Sequence, residues 1–179
     1  AMVRLEEVAT IMRGKRLTKN QLSNADTYPV FHGGLEPLGF YSKSNRPANS
    51  VMIINVGASA GTVGFCKKEF WSSDGCFTLN ITDYNSRFLY YVIRCKENYL
   101  KSRVRKAGIP TLDSSVIESL EIPLPSLSEQ ARIVEILDRF DTLCNDLTSG
   151  LPAEIEARQK QYEYYRDKLL SFHAECANA

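Results

Sequence analysis

The sequence predicts an α+β fold: a globular domain of short strands with an embedded helix, followed by a long α-helical coiled-coil arm. Three observations carry that prediction. Apolar residues before position 122 fall in short runs punctuated by Gly, Asn and Pro, which is the text of strands and turns. After Ile122-Pro123-Leu124-Pro125-Ser126 the apolar period becomes helical. The charge divides at the same place. Residues 1–122 hold 16 Lys and Arg against 11 Asp and Glu, whereas residues 123–179 hold 6 against 10, so a net charge of +1 conceals a basic front and an acidic back. A 179-residue chain with 44% apolar and 24% charged residues has ordinary globular composition, which excludes bulk disorder and collagen-like repeats.

Taken in order, Tyr28-Pro29-Val30-Phe31 reads as the start of a strand and His32-Gly33-Gly34 as a turn. Val51-Met52-Ile53-Ile54-Asn55-Val56 is a continuous apolar strand, expected to be buried on both faces. Gly57, Gly61 and Gly64 punctuate a loop into a second strand, Thr62-Val63-Gly64-Phe65-Cys66, and Phe70-Trp71 and Cys76–Ile81 continue the β pattern. Over 86–101 the period switches: Phe88, Leu89, Val92, Ile93, Tyr99 and Leu100 recur at helical spacing. Pro123 and Pro125 forbid helix and central strand, which makes 123–127 an extended connector between a domain at 1–122 and a helical region at 128–179.

The helical region opens with Ser126 and Glu129 at capping-box spacing, Ser128 being the rival cap. Ile133, Ile136, Phe140, Leu143 and Leu147 are spaced 3, 4, 3, 4, and after Gly150 and Pro152 a second run continues the repeat through Ile155, Arg158, Tyr162, Tyr165, Leu169 and Phe172. A sustained repeat of 3.5 is a coiled-coil seam that needs a partner helix. An antiparallel homodimer is expected, with Ile155, Tyr162, Tyr165 and Leu169 in contact and Arg158 as the polar residue that fixes register.

Residues 87–106 carry Arg87, Arg94, Lys96, Lys101, Arg103, Arg105 and Lys106 against a single Glu97, interleaved with Tyr90, Tyr91 and Tyr99. Such a patch releases counterions from a phosphate backbone, so Lys101, Arg103, Arg105 and Lys106 are expected to face nucleic acid. A second cluster contains Lys15, Arg16 and Lys19 with Asn20, whose side chains can read guanine and adenine edges. His32 in its glycine turn, Lys43, Arg46, and Ser59 of the Gly57–Gly64 loop complete the candidate DNA-facing set. That loop lacks the Lys-Ser/Thr of a phosphate loop and precedes β-prone residues rather than a helix, so it reads as a strand connection whose backbone can approach phosphates.

Catalytic constellations are missing: neither His32 nor His173 accompanies a nucleophile signature, and Gly-x-Ser-x-Gly does not occur. Five cysteines (Cys66, Cys76, Cys95, Cys144, Cys176) form no C-x-x-C pair, which suits reduced thiols better than disulfides or a metal site. No run of 18 apolar residues occurs, and Met2-Val3-Arg4-Leu5-Glu6 has no apolar leader, so the expectation is a cytoplasmic, non-membrane protein; Ala1 reads as a cloning remnant.

At this point the residues resemble a known family. Pro123-Leu124-Pro125-Ser126-Leu127-Ser128-Glu129-Gln130-Ala131-Arg132-Ile133-Val134 is similar to the entry of the conserved region of type I restriction–modification specificity subunits. The stretch from Leu151-Pro152-Ala153-Glu154 to Asp167-Lys168-Leu169-Leu170 resembles that family's helical spacer, and Val3–Val8 and Tyr28–Asn80 resemble its recognition domain. The resemblance implies a non-catalytic DNA-binding subunit that positions methyltransferase subunits, and through them restriction subunits, on a bipartite target. It implies no cofactor on this chain, S-adenosylmethionine belonging to the methyltransferase partner. A full-length subunit carries two recognition domains and two conserved helical regions; this sequence carries one of each, as a natural half-subunit or a fragment would. The alternative is a stand-alone dimeric DNA-binding regulator, which co-purification with modification subunits distinguishes.

Overall fold

The computed structural model describes residues 2–142 together with 160, 161 and 164. Three strand groups and a helical layer build its first compact unit. The strands are β1 (Met2–Arg4), β2 (Thr10–Met12), β3 (Tyr28–Phe31), β4 (Gly39–Tyr41), β5 (Ser50–Ile54), β6 (Val63–Cys66), β7 (Trp71–Ser72), β8 (Cys76–Asn80) and β9 (Glu121–Pro123). The helices are α1 (Ser86–Cys95), α2 (Glu97–Ser102), α3 (Ser114–Glu118) and α4, which covers 127–142.

The central sheet is antiparallel throughout, in the order β2-β8-β5-β6. A second sheet runs β4-β3-β7, with β3 and β7 parallel, and β1 pairs with β9 antiparallel. As its apolar run predicts, β5 is buried along its whole length. Its alternation feeds two cores. Val51 and Ile53 join Phe77 and Leu79 of the same sheet against Phe88, Leu89 and Ile93 of α1, Leu100 of α2 and Ile117 of α3. Met52 and Ile54 turn the other way, to Cys66, Cys76, Phe31 and Phe70.

The helical stretch expected over 86–101 is two helices. Asn85 caps the first, its side-chain oxygen accepting the Arg87 and Phe88 amides at 3.0 Å each. Lys96 ends α1 and opens α2. Strands β1, β2 and β4, of three residues each, were not anticipated.

The chain divides into two compact units, Ala1–Val134 and Glu135–Ala179. The first runs past the boundary expected at residue 122. Pro123 ends a paired strand rather than opening a free connector, and the first turns of α4 pack into the core through Ile133 and Val134. Gln130, fully buried, explains much of this: its Nε2 donates to the Pro125 carbonyl at 2.9 Å and its Oε1 accepts the Asn85 amide at 3.1 Å. Ser126 caps α4, its carbonyl accepting the Gln130 amide. Glu129 pairs with Arg132 instead of closing the capping box.

In the second unit, Arg139 pairs with Glu135 at 2.8 Å, and Ile136 and Phe140 of the expected seam are exposed. Leu143 and Leu147, and the contact residues Ile155, Arg158, Tyr162, Tyr165 and Leu169, lie outside the described residues. No described helix is long and apolar enough to cross a membrane.

Candidate nucleic-acid interface

Loops from sequence-distant elements meet on one face of the first unit. A cleft of about 500 Å³ is lined by Arg16, His32, Gly33, Asn55, Val56, Gly57, Asp74 and Ile109. It shares Arg16, His32 and Asp74 with a neighbouring cleft that adds Thr18, Lys19 and Leu38. It shares Gly57 with another that adds Ala58, Lys101, Val104, Lys106 and Pro110. Arg16 and Lys19 of one basic cluster and Lys101 and Lys106 of the other therefore line adjoining clefts, although more than eighty residues separate the two pairs in the sequence.

Backbone contacts hold these loops. The Lys15 amide donates to the Ser72 carbonyl, and Trp71 Nε1 donates to the Lys15 carbonyl at 2.7 Å, which fixes the segment carrying Arg16. Gly61 has φ +90°, and a Cβ there would stand 2.9 Å from the Lys101 backbone nitrogen. Only glycine permits α2 to lie so close to the 57–61 loop. The Gly57 amide donates to the Pro110 carbonyl at 2.9 Å, which ties the same loop to the 105–111 hairpin.

The expected DNA-facing residues separate by what they already bind. Lys15, Arg16, Lys19 and Asn20 are exposed, and Arg16 and Lys19 line the clefts. Lys106 is exposed and has no carboxylate partner among the described residues. Arg105 pairs with Asp113 at 2.9 Å and Lys101 with Glu97 at 2.6 Å, while the Arg103 guanidinium stacks 5.0 Å from the Tyr99 ring centre. Exposed pairs are worth at most about 1 kcal/mol, so a phosphate can displace Asp113 from Arg105. Arg46 is committed internally: its guanidinium donates to Thr78 Oγ1 and to the carbonyls of Asn45 and Arg13. Lys43 is exposed and Ser59 half-buried; neither lines the three clefts, and nor does Arg46.

His32 Nδ1 accepts the Gly75 amide at 3.1 Å. Asp74 Oδ1 lies 3.1 Å from the same nitrogen and accepts from Ser73 Oγ at 3.0 Å. Beside them Asn55 Oδ1 is a buried acceptor with no hydrogen-bond partner among the described residues. Glu97 also accepts the Val63 amide at 3.0 Å. Burial works to raise its carboxyl, yet the Lys101 ammonium and the Val63 amide outweigh that and hold it below the usual carboxylate range. Sequence reasoning missed Asp74, Asp113 and Ile109. Glu97 was visible only as the one negative in a basic run, although its spacing of four from Lys101 is the signal of a helical ion pair.

Residues 1–157 match the family described as the type I restriction modification DNA specificity domain. The chain belongs to that family. Among curated specificity-domain relatives, the specificity subunit of an Escherichia coli type I restriction enzyme is 50% identical over 88 residues, covering 48% of this chain and 22% of that protein. A putative type I specificity subunit of Mycoplasma pneumoniae is 31% identical over 175 residues, covering 94% of this chain and 56% of that one. The chain thus spans about half, or less, of the length of these relatives. The crystal structure of a type I S subunit from M. genitalium superposes with a TM-score of 0.74 at 25% identity, over 83% of this chain and 41% of that one. A structure from a study of type I complex assembly gives 0.69 at 26% identity, over 91% and 43%. The mixed α/β architecture of this specificity-domain chain is the one these neighbours share.

Proposed function

We propose that this chain is a sequence-specific DNA-reading subunit of a type I restriction–modification system, recognising one half of a bipartite target. The match of residues 1–157 to the specificity family carries the reading. The presence of Arg16, Lys19, Lys101 and Lys106 on adjoining clefts, with His32 between them, supports it, because gathered cations are what a phosphate backbone recruits.

In this reading the chain is not an enzyme. It binds double-stranded DNA and docks methyltransferase subunits, which hold S-adenosylmethionine, and through them restriction subunits, in the cytoplasm. The region 128–179 serves as a coiled-coil arm. Two copies pair through Ile155, Tyr162, Tyr165 and Leu169, with Arg158 setting register, so that two recognition regions face inverted half-sites. Exposed Ile136 and Phe140, four apart, support an arm with apolar surface to cover.

The test is co-purification with the neighbouring modification subunit, followed by sequencing of methylated sites. An interrupted palindrome is expected from a complex containing only this chain. Failure to associate, or methylation without sequence preference, removes the proposal. Sedimentation at tens of micromolar addresses the arm separately: a monomer unaffected by Leu169→Glu removes the dimer.

A further inference from the structure

At 72% exposure, Ile109 is the most exposed of the large apolar side chains among the described residues. It stands at the tip of a hairpin that nothing in its chemistry leaves loose. Arg105 and Thr111 exchange both backbone hydrogen bonds, at 2.9 and 3.1 Å. Gly108 turns the chain at φ +83° with open space around its α-carbon, so the glycine serves the turn and not a close contact. Pro110 fixes the following φ, and its carbonyl is held by the Gly57 amide. Thr111 Oγ1 donates to the Ile109 carbonyl at 2.9 Å, and fully buried Leu112 anchors the outgoing strand, its amide donating to the Asn55 carbonyl. A β-branched side chain, stiff at χ1, is thus held out into solvent on a braced support.

Its surroundings place cations beside apolar side chains, with Asp74 the one carboxylate among the described residues there. Ile109 lines one cleft with Arg16 and His32, and the adjoining cleft brings Lys101 and Lys106. The described apolar residues of these clefts, among them Val56 in the first and Ala58, Val104 and Pro110 in the second, include no aromatic side chain of the kind that anchors a protein contact. An exposed, stiff apolar side chain flanked by cations has the chemistry of a wedge that enters between base pairs while Arg16 and Lys106 hold phosphates.

We propose that Ile109 inserts at a base step of the bound duplex, unstacking it, with Lys106 and Arg16 on the flanking phosphates. This rests on the DNA-reading function proposed above and adds a shape-dependent component to recognition: steps that unstack easily are favoured at that position.

The experiment uses the complex with the modification subunit and duplexes bearing the mapped target, with 2-aminopurine placed at successive positions. The wild type should brighten the probe at a step where Ile109→Ala does not. That variant should bind the target roughly ten-fold more weakly with an unchanged salt slope, since no phosphate contact is lost. Ile109→Lys should steepen the slope by about one without restoring the signal. Because the side chain is exposed, both variants should melt like the wild type. Fluorescence and affinity unchanged by Ile109→Ala overturn the wedge, as does a variant that loses the modification subunit while keeping the signal, which makes Ile109 a protein contact. A wild-type complex that does not distinguish target from random duplex fails at the proposed function itself.

Discussion

Gln130→Leu tests how the first unit is closed. The substitution keeps volume and burial but removes an amide bonded at both ends, to the Pro125 carbonyl at 2.9 Å and the Asn85 amide at 3.1 Å. Each orphaned backbone group costs about 1–3 kcal/mol when sealed from water. Pro125 and Asn85 are half-buried, which puts each at the lower end. Removing the amide from the interior returns part of that, leaving a loss of about 1–2 kcal/mol, or roughly 3–10 °C in melting temperature for a unit of this size. Thermal and urea unfolding by circular dichroism read the change. Gln130→Glu supplies a second, pH-dependent signature. Ionised, it has no donor for Pro125 and buries a charge; protonated, it restores the donor. Its folded pKa should lie above the unfolded value of about 4.3, so stability is recovered as pH falls and lost as pH rises through the folded value. A Gln130→Leu variant within about 0.5 kcal/mol of wild type would refute the closure argument.

The salt dependence of DNA binding should weaken by about 0.9 in log–log slope for each of Arg16→Ala and Lys106→Ala, and by less for Arg105→Ala, which gives up Asp113 to bind; equal effects at all three would contradict the ion-pair assignments. Glu97 has its carboxyl lowered, so its contribution is present above about pH 4.3 and lost as pH falls through the folded value. Glu97→Gln should therefore flatten the acid limb of the stability profile while lowering the neutral plateau, and an unchanged limb would count against it. Burial pushes the Cys76 thiol up to about 12, leaving roughly one part in ten thousand as thiolate at pH 8. Alkylation mapped by mass spectrometry should mark exposed Cys95 and spare Cys76 until the protein unfolds; native labelling of Cys76 would overturn that burial.

The parts of the fold legible in the sequence were those whose signal is local. The apolar run at β5, the glycine-bounded strand β6 and the α1 period, opened by Asn85, each declare themselves within a few residues. The break at Lys96 was hidden because apolar positions keep helical spacing through Tyr99 and Leu100. Strands β1, β2 and β4 are too short to show an alternation; β1 and β2 are strands because β9 and β8 supply their hydrogen bonds from far along the chain. The site was legible as charge and not as availability. A basic run does not say that Asp113 reaches Arg105 across a hairpin, nor that carbonyls absorb the Arg46 guanidinium. Ile109 escaped notice because an isolated isoleucine signals nothing until the brace around it is seen.

The pairing of Met2–Arg4 with Glu121–Pro123 has a consequence for how the protein is made. At about 5–20 residues per second, a ribosome leaves the first strand without its partner for roughly 6–24 s. The parallel pairing of Val30 with Trp71 and the β2–β8 ladder wait for shorter parts of that interval. Through it the nascent chain exposes apolar strands that no local turn can cover, so its yield in a cell depends on translation speed and chaperone occupancy as well as on final stability.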